Sequence, residues 1–194
     1  MRAITGLTLI VVAITSIAVA SGESGPSKYA GQEERAIKSL SAADVDELRR
    51  GGGWGMAKAA ELNGLPGPAH LLELKDRIPL TKGQVVEIEV LFRDMRKMAV
   101  AEGERLIALE RELDRSVSAR TITEASLADM LERIAQSRKR LRYIHLSTHL
   151  KTPEILSRKQ IARYNRLRGY ADDPCAKVPD GHDPSMWRQH NNCR

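Results

Sequence analysis

Residues 81–114 read TKGQVVEIEVLFRDMRKMAVAEGERLIALERELD and contain no proline. Apolar side chains recur there in steps of three and four, with one skipped position, at Val85, Ile88, Phe92, Met95, Ala99, Leu106, Leu109 and Leu113. This spacing predicts one long amphipathic helix with a coiled-coil-like seam. Glu102 fills the skipped seam position, and we expect it to form an ion pair with Arg138 or Lys139 of a facing helix.

A second long helix is predicted to begin after Thr123 and to continue until Pro153 interrupts it. Only residues 120–122 connect the two helices, so they should fold back on each other as an antiparallel hairpin. A last helix is expected from Ser157 to about Arg168. The expected inner face of the second helix consists of Leu127, Met130, Leu131, Ile134, Leu141 and Ile144.

The composition of the 194 residues also favours an all-α fold. Aromatic residues make up only 4% and include a single Phe, whereas β-sandwiches and barrels are usually richer in them. From Tyr29 to about Ile78 the chain has short helical pieces separated by Gly and Pro. Each piece is too short to be stable alone, so we expect these pieces to wrap or cap the hairpin at its ends.

Two of the predicted helices begin with the same motif. Thr81 and Ser157 occupy N-cap positions, and Gln84 and Gln160 follow each of them at the third helical position. This is a reciprocal capping box, in which each side chain satisfies a backbone amide that the helix leaves free. Residues 40–44 contain a looser third copy. The motif predicts helix starts and has no catalytic meaning by itself.

The first twenty residues indicate export. Arg2 precedes an uncharged, apolar stretch that ends in Ala18-Val19-Ala20, a small-x-small cleavage site. We interpret residues 1–20 as a signal peptide, with an uncleaved membrane anchor as the alternative. Residues 21–28 are rich in Gly, Ser and Pro and should form a flexible leader.

Export bears on the two cysteines, which both lie in the tail of residues 171–194. In an oxidising compartment Cys175 and Cys193 are expected to form a disulfide. The alternative is a metal site that adds His182 and His190, although the spacing matches no common zinc module.

The two boxes, Leu-Thr-Lys-Gly-Gln at 80–84 and Leu-Ser-Arg-Lys-Gln at 156–160, resemble the Leu-Thr-x-x-Gln motif of the Spy/CpxP family. Residues 29–31, 60–70 and 163–170 also look like its heavy-metal-resistance branch, and the resemblance spans residues 29–170. It implies one helical domain there, in the periplasm, with a homodimer shaped as a curved cradle. The family includes an ATP-independent chaperone and metal sensors, so the resemblance does not decide between these functions.

The second half of the predicted domain is strongly basic. Residues 131–168 hold eleven Lys and Arg but two acidic residues, a net charge of +9. This surface could attract acidic unfolded clients and then hold their apolar segments. It could equally be a solvated helix face, a partner-binding patch or a membrane-surface helix. The expected client-binding residues are Arg138, Arg140, Arg142, Ile144, Leu146 and Leu150.

A metal site is the second possibility. His145 and His149 lie one turn apart on one helix face, where two imidazoles can bind one ion. Folding the hairpin about residue 120 brings Met95 near His145, and His70 could add a further ligand. The candidate ions are zinc, copper, nickel and cobalt. Both histidines could also be ordinary surface or interface residues, with methionine as core filler.

The sequence shows no nucleotide loop, catalytic triad or paired-carboxylate cleft, so we expect a protein that is not an enzyme. The favoured interpretation is a periplasmic, ATP-independent chaperone or envelope-stress protein that needs no cofactor. The alternative is a metal-binding sensor or metal-resistance accessory protein. In either case the expected partners are unfolded envelope proteins and a membrane sensor or sigma-factor regulator, with no nucleic acid involved.

Overall fold

A computed structural model describes residues 25–172, 174–191 and 193 of the chain. The described residues up to Glu33 and the described residues from Glu34 onward belong to two separate compact units. The described part of the first unit, residues 25–33, consists of turns without a helix. The predicted signal peptide and the first residues of the predicted leader lie outside the described residues.

The second unit is all α-helical, as predicted. Two long helices, α4 (Lys82–Ser118) and α5 (Glu124–Lys151), pack together as an antiparallel pair, and a 3₁₀ turn at Thr152–Ile155 extends α5. Among the described residues, the shorter helices are α1 (Ala42–Arg49), α2 (Lys58–Glu61), α3 (Pro68–Glu73), α6 (Arg158–Leu167) and α7 (Pro184–His190).

Capping boxes begin the helices where the sequence predicts them. Thr81 caps α4 with Gln84 as its reciprocal partner, and Ser157 caps α6 with Gln160. The looser box at Ser41 caps α1. A fourth box at Thr123 and Ser126, which the sequence analysis missed, starts α5. Each cap contributes about 1 kcal/mol to helix stability.

The helices pack around two apolar clusters at opposite ends of the hairpin. One cluster joins the region of α1 to the turn-proximal half of α4 and the middle of α5, through Ile37, Leu40, Leu48, Leu106, Ile107, Leu109, Ile134 and Leu141. The other joins α3, the start of α4 and α6, through Leu71, Ile78, Ile88 and Tyr164. The short N-terminal helices therefore cover the hairpin, as expected from their length.

α1 crosses α4 at Gly103. A Cβ atom at this position would lie 2.6 Å from the carbonyl oxygen of Leu48, so only glycine permits the approach of the two backbones. Leu48 is 2% exposed and belongs to the first cluster. Gly103 thus lowers the helix propensity of α4 but makes room for α1.

The predicted inner face of α5 is only partly correct. Ile134 and Leu141 are buried, whereas Leu127 and Leu131 are 37% and 49% exposed. The first apolar cluster reaches Ile134 and Leu141 but does not include the two leucines nearer the turn. The other buried residues of α5 are polar: Ser137, His145, Thr148 and His149.

Candidate functional site

The two predicted capping boxes meet in space. The side-chain amides of Gln84 and Gln160 form a reciprocal pair, with N–O distances of 3.0 and 2.9 Å. The Nε2 of Gln84 also donates to the carbonyl of Ile155, and that of Gln160 donates to the carbonyl of Pro79. Each glutamine therefore binds the backbone segment that precedes the opposite helix, and these hydrogen bonds hold α6 against the start of α4. This contact is structural.

The outward face of α5 carries apolar and basic side chains together. Tyr143 and Leu150 are 72% and 62% exposed, and Leu146 between them is half-buried. The spacing of these residues from Lys139 puts all four on one side of the helix, with Arg142 beside them. Lys139 and Arg142 are exposed and have no carboxylate within 4 Å among the described residues. We call Lys139, Arg142, Tyr143, Leu146 and Leu150 the outer stripe.

Arg138, a predicted client-binding residue, is instead used inside the fold. Its guanidinium lies 2.6 Å from Glu110, a carboxylate that is only 5% exposed, and 5.2 Å from the ring centroid of Trp54. The indole of Trp54 donates in turn to Asp44 of α1. A buried carboxylate requires a charged partner, so Arg138 holds the N-terminal segment to the hairpin rather than presenting a free charge.

Glu102 has a different partner from the one expected. It lies 4.0 Å from Arg140 and 3.9 Å from Arg105, while the side chain of Arg138 extends toward Glu110. The expected ion pair across the hairpin therefore exists, but with Arg140. Arg140 is 53% exposed, so it remains accessible beside this loose pair. Ile144, another predicted client contact, is half-buried.

His145 and His149 are both buried, between the two apolar clusters. The Nδ1 of His149 lies 2.9 Å from the carbonyl of Leu65, so Nδ1 carries the proton and donates. The other edge of its ring packs on Gly67, where a Cβ would come within 2.7 Å of Nε2. Burial, and then the neighbouring His149, lower the pKa of His145, while Glu47 acts in the opposite direction.

The other two predicted metal ligands have separate surroundings. His70 places Nδ1 2.9 Å from Glu73 and Nε2 3.5 Å from Glu61. Met95 is 6% exposed and lies on α4, in the part of the helix between the two apolar clusters. In the part of the chain that the structure describes, no group of three or more His, Cys, Asp and Glu side chains could hold a metal ion. The histidine pair remains a two-residue candidate, and the metal site stays a prediction.

Glu61 forms a contact that the sequence analysis did not anticipate. It accepts hydrogen bonds from Arg168 and from the hydroxyl of Tyr170, and so ties α2 to the end of α6. Burial raises the pKa of its carboxyl, but these hydrogen bonds outweigh that effect and lower it. The long sequence separation leaves no local signal for such a contact.

The tail contains the predicted disulfide between Cys175 and Cys193. The loop that it closes holds α7, whose Trp187 donates to the carbonyl of Pro174. His182 lies edge-on against Trp187, with ring centroids 4.8 Å apart. Both thiols are used in the disulfide, which rules out the alternative of a two-Cys, two-His metal site in this state.

Lys139 and Tyr143 are the two residues of the outer stripe that were not among the expected client-binding residues, and Tyr143 is the apolar one. Its distance from Leu146 and Leu150 gives the helical period that would have revealed it.

Across the described residues, none of the helices combines the length and the apolar character needed to span a bilayer. Comparison of the chain with protein-family models, curated proteins and solved structures finds no match.

Proposed function

We propose that the protein is a periplasmic, ATP-independent chaperone that binds unfolding clients on the outer stripe of α5, as part of the surface of a homodimeric cradle. The observation that carries this proposal is the exposure of Tyr143 and Leu150 beside Lys139 and Arg142, two cations with no carboxylate within 4 Å in the described part of the chain. Contiguous apolar side chains with a polar rim on a protein surface are typical of interaction sites. The cations would draw acidic clients toward the stripe, and apolar contact would then hold them reversibly.

Two further features support this function. The Cys175–Cys193 disulfide suits an oxidising compartment such as the periplasm. The hairpin is held at the start of α4 by the Gln84–Gln160 pair and near the middle of α4 by α1, so the stripe belongs to a rigid support. A binding surface that needs no rearrangement can release clients without ATP.

The test is suppression of client aggregation by the chain from Ser21 onward, the start that cleavage after Ala20 would leave. A chemically unfolded client is diluted into near-equimolar protein, with chelator and without ATP, and its light scattering is followed. Tyr143→Ser with Leu150→Ser should abolish most of the suppression. Because both side chains are exposed, the free energy of unfolding should change by no more than about 0.5 kcal/mol per site.

Leu62→Ser provides the matched control, because Leu62 is 65% exposed but lies at the end of α2. It should suppress aggregation as well as the unaltered protein does. Equal suppression by the stripe variant and the control would refute the outer stripe as the client site. Absence of suppression by the folded, unaltered protein would refute the chaperone function itself.

A further inference from the structure

A groove separate from the outer stripe lies between the end of α1 and the middle of α4. It has a volume of about 530 Å³ and is lined by Arg49, Phe92, Arg93, Arg96, Lys97 and Val100. Four of these six residues are cations. The groove lies outside the basic stretch of residues 131–168, and α4 as a whole gives no sign of it, because Lys82–Ser118 holds seven Lys and Arg against eight Asp and Glu.

Close packing of the backbone shapes this groove. Gly51 has a φ of +70°, and a Cβ there would lie 3.0 Å from the carbonyl oxygen of Arg96 and 3.1 Å from Val100. The Nε of Arg96 donates to the carbonyl of Arg50 at 3.0 Å. Arg49 pairs with Glu104 at 3.1 Å. These contacts hold the groove walls in place before anything binds.

The positive charge of the groove is largely uncompensated. Arg93 and Lys97 are exposed and, within the described part of the chain, have no carboxylate within 4 Å. Among the described residues, Glu104 is the one carboxylate that pairs with a residue lining the groove, Arg49. The acidic residues Glu89 and Asp94 of α4 are exposed and do not line the groove.

The floor of the groove is apolar. Phe92 is the only Phe of the chain, and both it and Val100 are half-buried rather than enclosed in a cluster. Arg93 and Lys97 lie one turn apart, so the charges follow the helix over about 6 Å instead of converging on one point. A single phosphate would favour convergent cations, whereas a row of cations over an apolar floor suits a peptide with several carboxylates and an apolar side chain.

We propose that this groove binds an acidic peptide segment that carries a large apolar side chain. The apolar side chain packs on Phe92 and Val100, and the carboxylates of the segment face Arg93, Arg96 and Lys97. This inference rests on the proposed function, since it names the chemistry of the client segments. It adds a second contact surface to the outer stripe.

The test measures binding directly, by fluorescence anisotropy of a labelled peptide that is rich in Asp and Glu and has one central Phe. Two matched peptides carry Lys in place of the acids, or Ser in place of Phe. The acidic peptide should bind best, and its binding should weaken as salt screens the charges. Arg93→Glu with Lys97→Glu should weaken it by about tenfold or more, because like charges would then face each other.

Lys139→Glu with Arg142→Glu is the matched control, with the same charge change on exposed residues of the outer stripe. It should leave binding of the peptide within about twofold of the unaltered protein, since neither Lys139 nor Arg142 lines the groove. Circular dichroism checks that both variants are folded. Equal effects of the two double variants would overturn the assignment to this groove.

Two other outcomes would overturn the ligand class. If the peptide with Ser in place of Phe binds equally well, the groove is a plain anion site. If phosphatidylglycerol vesicles displace the acidic peptide, the ligand is a lipid surface. If the unaltered protein binds the acidic peptide but does not suppress aggregation, the proposed function is refuted and the groove stands. If it suppresses aggregation but does not bind the peptide, the groove is refuted and the proposed function stands.

Discussion

Replacement of Gly103 by alanine tests how closely α1 is held to α4. The new Cβ would lie 2.6 Å from the carbonyl oxygen and 3.1 Å from the carbonyl carbon of Leu48, which are backbone atoms that no side-chain rotation can move away. Better helix propensity favours alanine by about 1 kcal/mol. Overpacking costs about 1–3 kcal/mol, and partial exposure of Leu48 costs about 2 kcal/mol more. We therefore expect Gly103→Ala to lower the free energy of unfolding by about 2–4 kcal/mol.

Gly83→Ala is the matched control on the same helix. A Cβ at Gly83 would meet only the Thr81 hydroxyl, at 3.9 Å, so alanine should leave stability unchanged or raise it by up to about 1 kcal/mol. Urea unfolding followed by circular dichroism measures both variants. In a Trp187→Phe background, the emission of Trp54 reports on α1, because its indole donates to Asp44. Displacement of α1 should shift that emission to longer wavelength.

A Gly103→Ala protein that is as stable as the unaltered chain, with unchanged Trp54 emission, would refute the close crossing of α1 and α4. Destabilisation by Gly83→Ala to the same extent would show that the effect belongs to alanine in α4 generally. The opposite signs expected for one substitution at two positions of one helix make the comparison decisive.

Three further predictions follow from the polar contacts of the hairpin. Gln84→Ala and Gln160→Ala should each lower the free energy of unfolding by about 1–3 kcal/mol, and the double variant by less than the sum, because either change breaks the shared amide pair; additive losses in urea unfolding would contradict the pairing. The pKa of His145 lies below its ordinary value of 6.5 in the fold, so the unfolded chain takes up the proton first as pH falls. Stability should therefore decrease as pH falls below about 6.5, and urea unfolding of His145→Gln between pH 7.5 and 5.5 should show a weaker decrease. If the variant and the unaltered protein lose stability equally, His145 is not the source of the pH dependence. The metal hypothesis predicts that zinc or copper raises the unfolding midpoint and that His145→Ala with His149→Ala removes the increase; a midpoint that excess metal leaves unchanged would refute it.

Local rules made most of the helices predictable. The apolar period identifies α4 over its whole length, and the capping boxes at Thr81 and Ser157 fix where two helices begin. The hairpin follows from the short link at residues 120–122. The disulfide follows from the presence of two cysteines in a chain that its first twenty residues predict to be exported. Each of these features depends on residues that are close in sequence or on composition alone.

Contacts between distant segments were not predictable in the same way. The sequence gives no sign that Gln84 would pair with Gln160, 76 residues away, because each box already satisfies its own helix. From the sequence alone, Gly103 only lowers the helix propensity of α4, and the reason for it is the backbone of Leu48, which packs directly against it. Arg138 bonds to Glu110 because that carboxylate is buried, and burial depends on how α1 packs. Register and packing decide these contacts, and neither is a property of the local sequence.

The polarity of α5 connects the fold to the proposed function. Its inner face is fixed by polar contacts, since Arg138 binds Glu110 and His149 donates to the carbonyl of Leu65. Turning the helix to bury Tyr143 and Leu150 would break both contacts and leave Glu110 as an unpaired buried charge, which is strongly unfavourable. The outer stripe therefore stays exposed for as long as the hairpin is folded. Besides Ile134 and Leu141, α5 buries four polar side chains while Tyr143 and Leu150 are exposed. Such departures from the usual pattern are expected where a surface is used for binding.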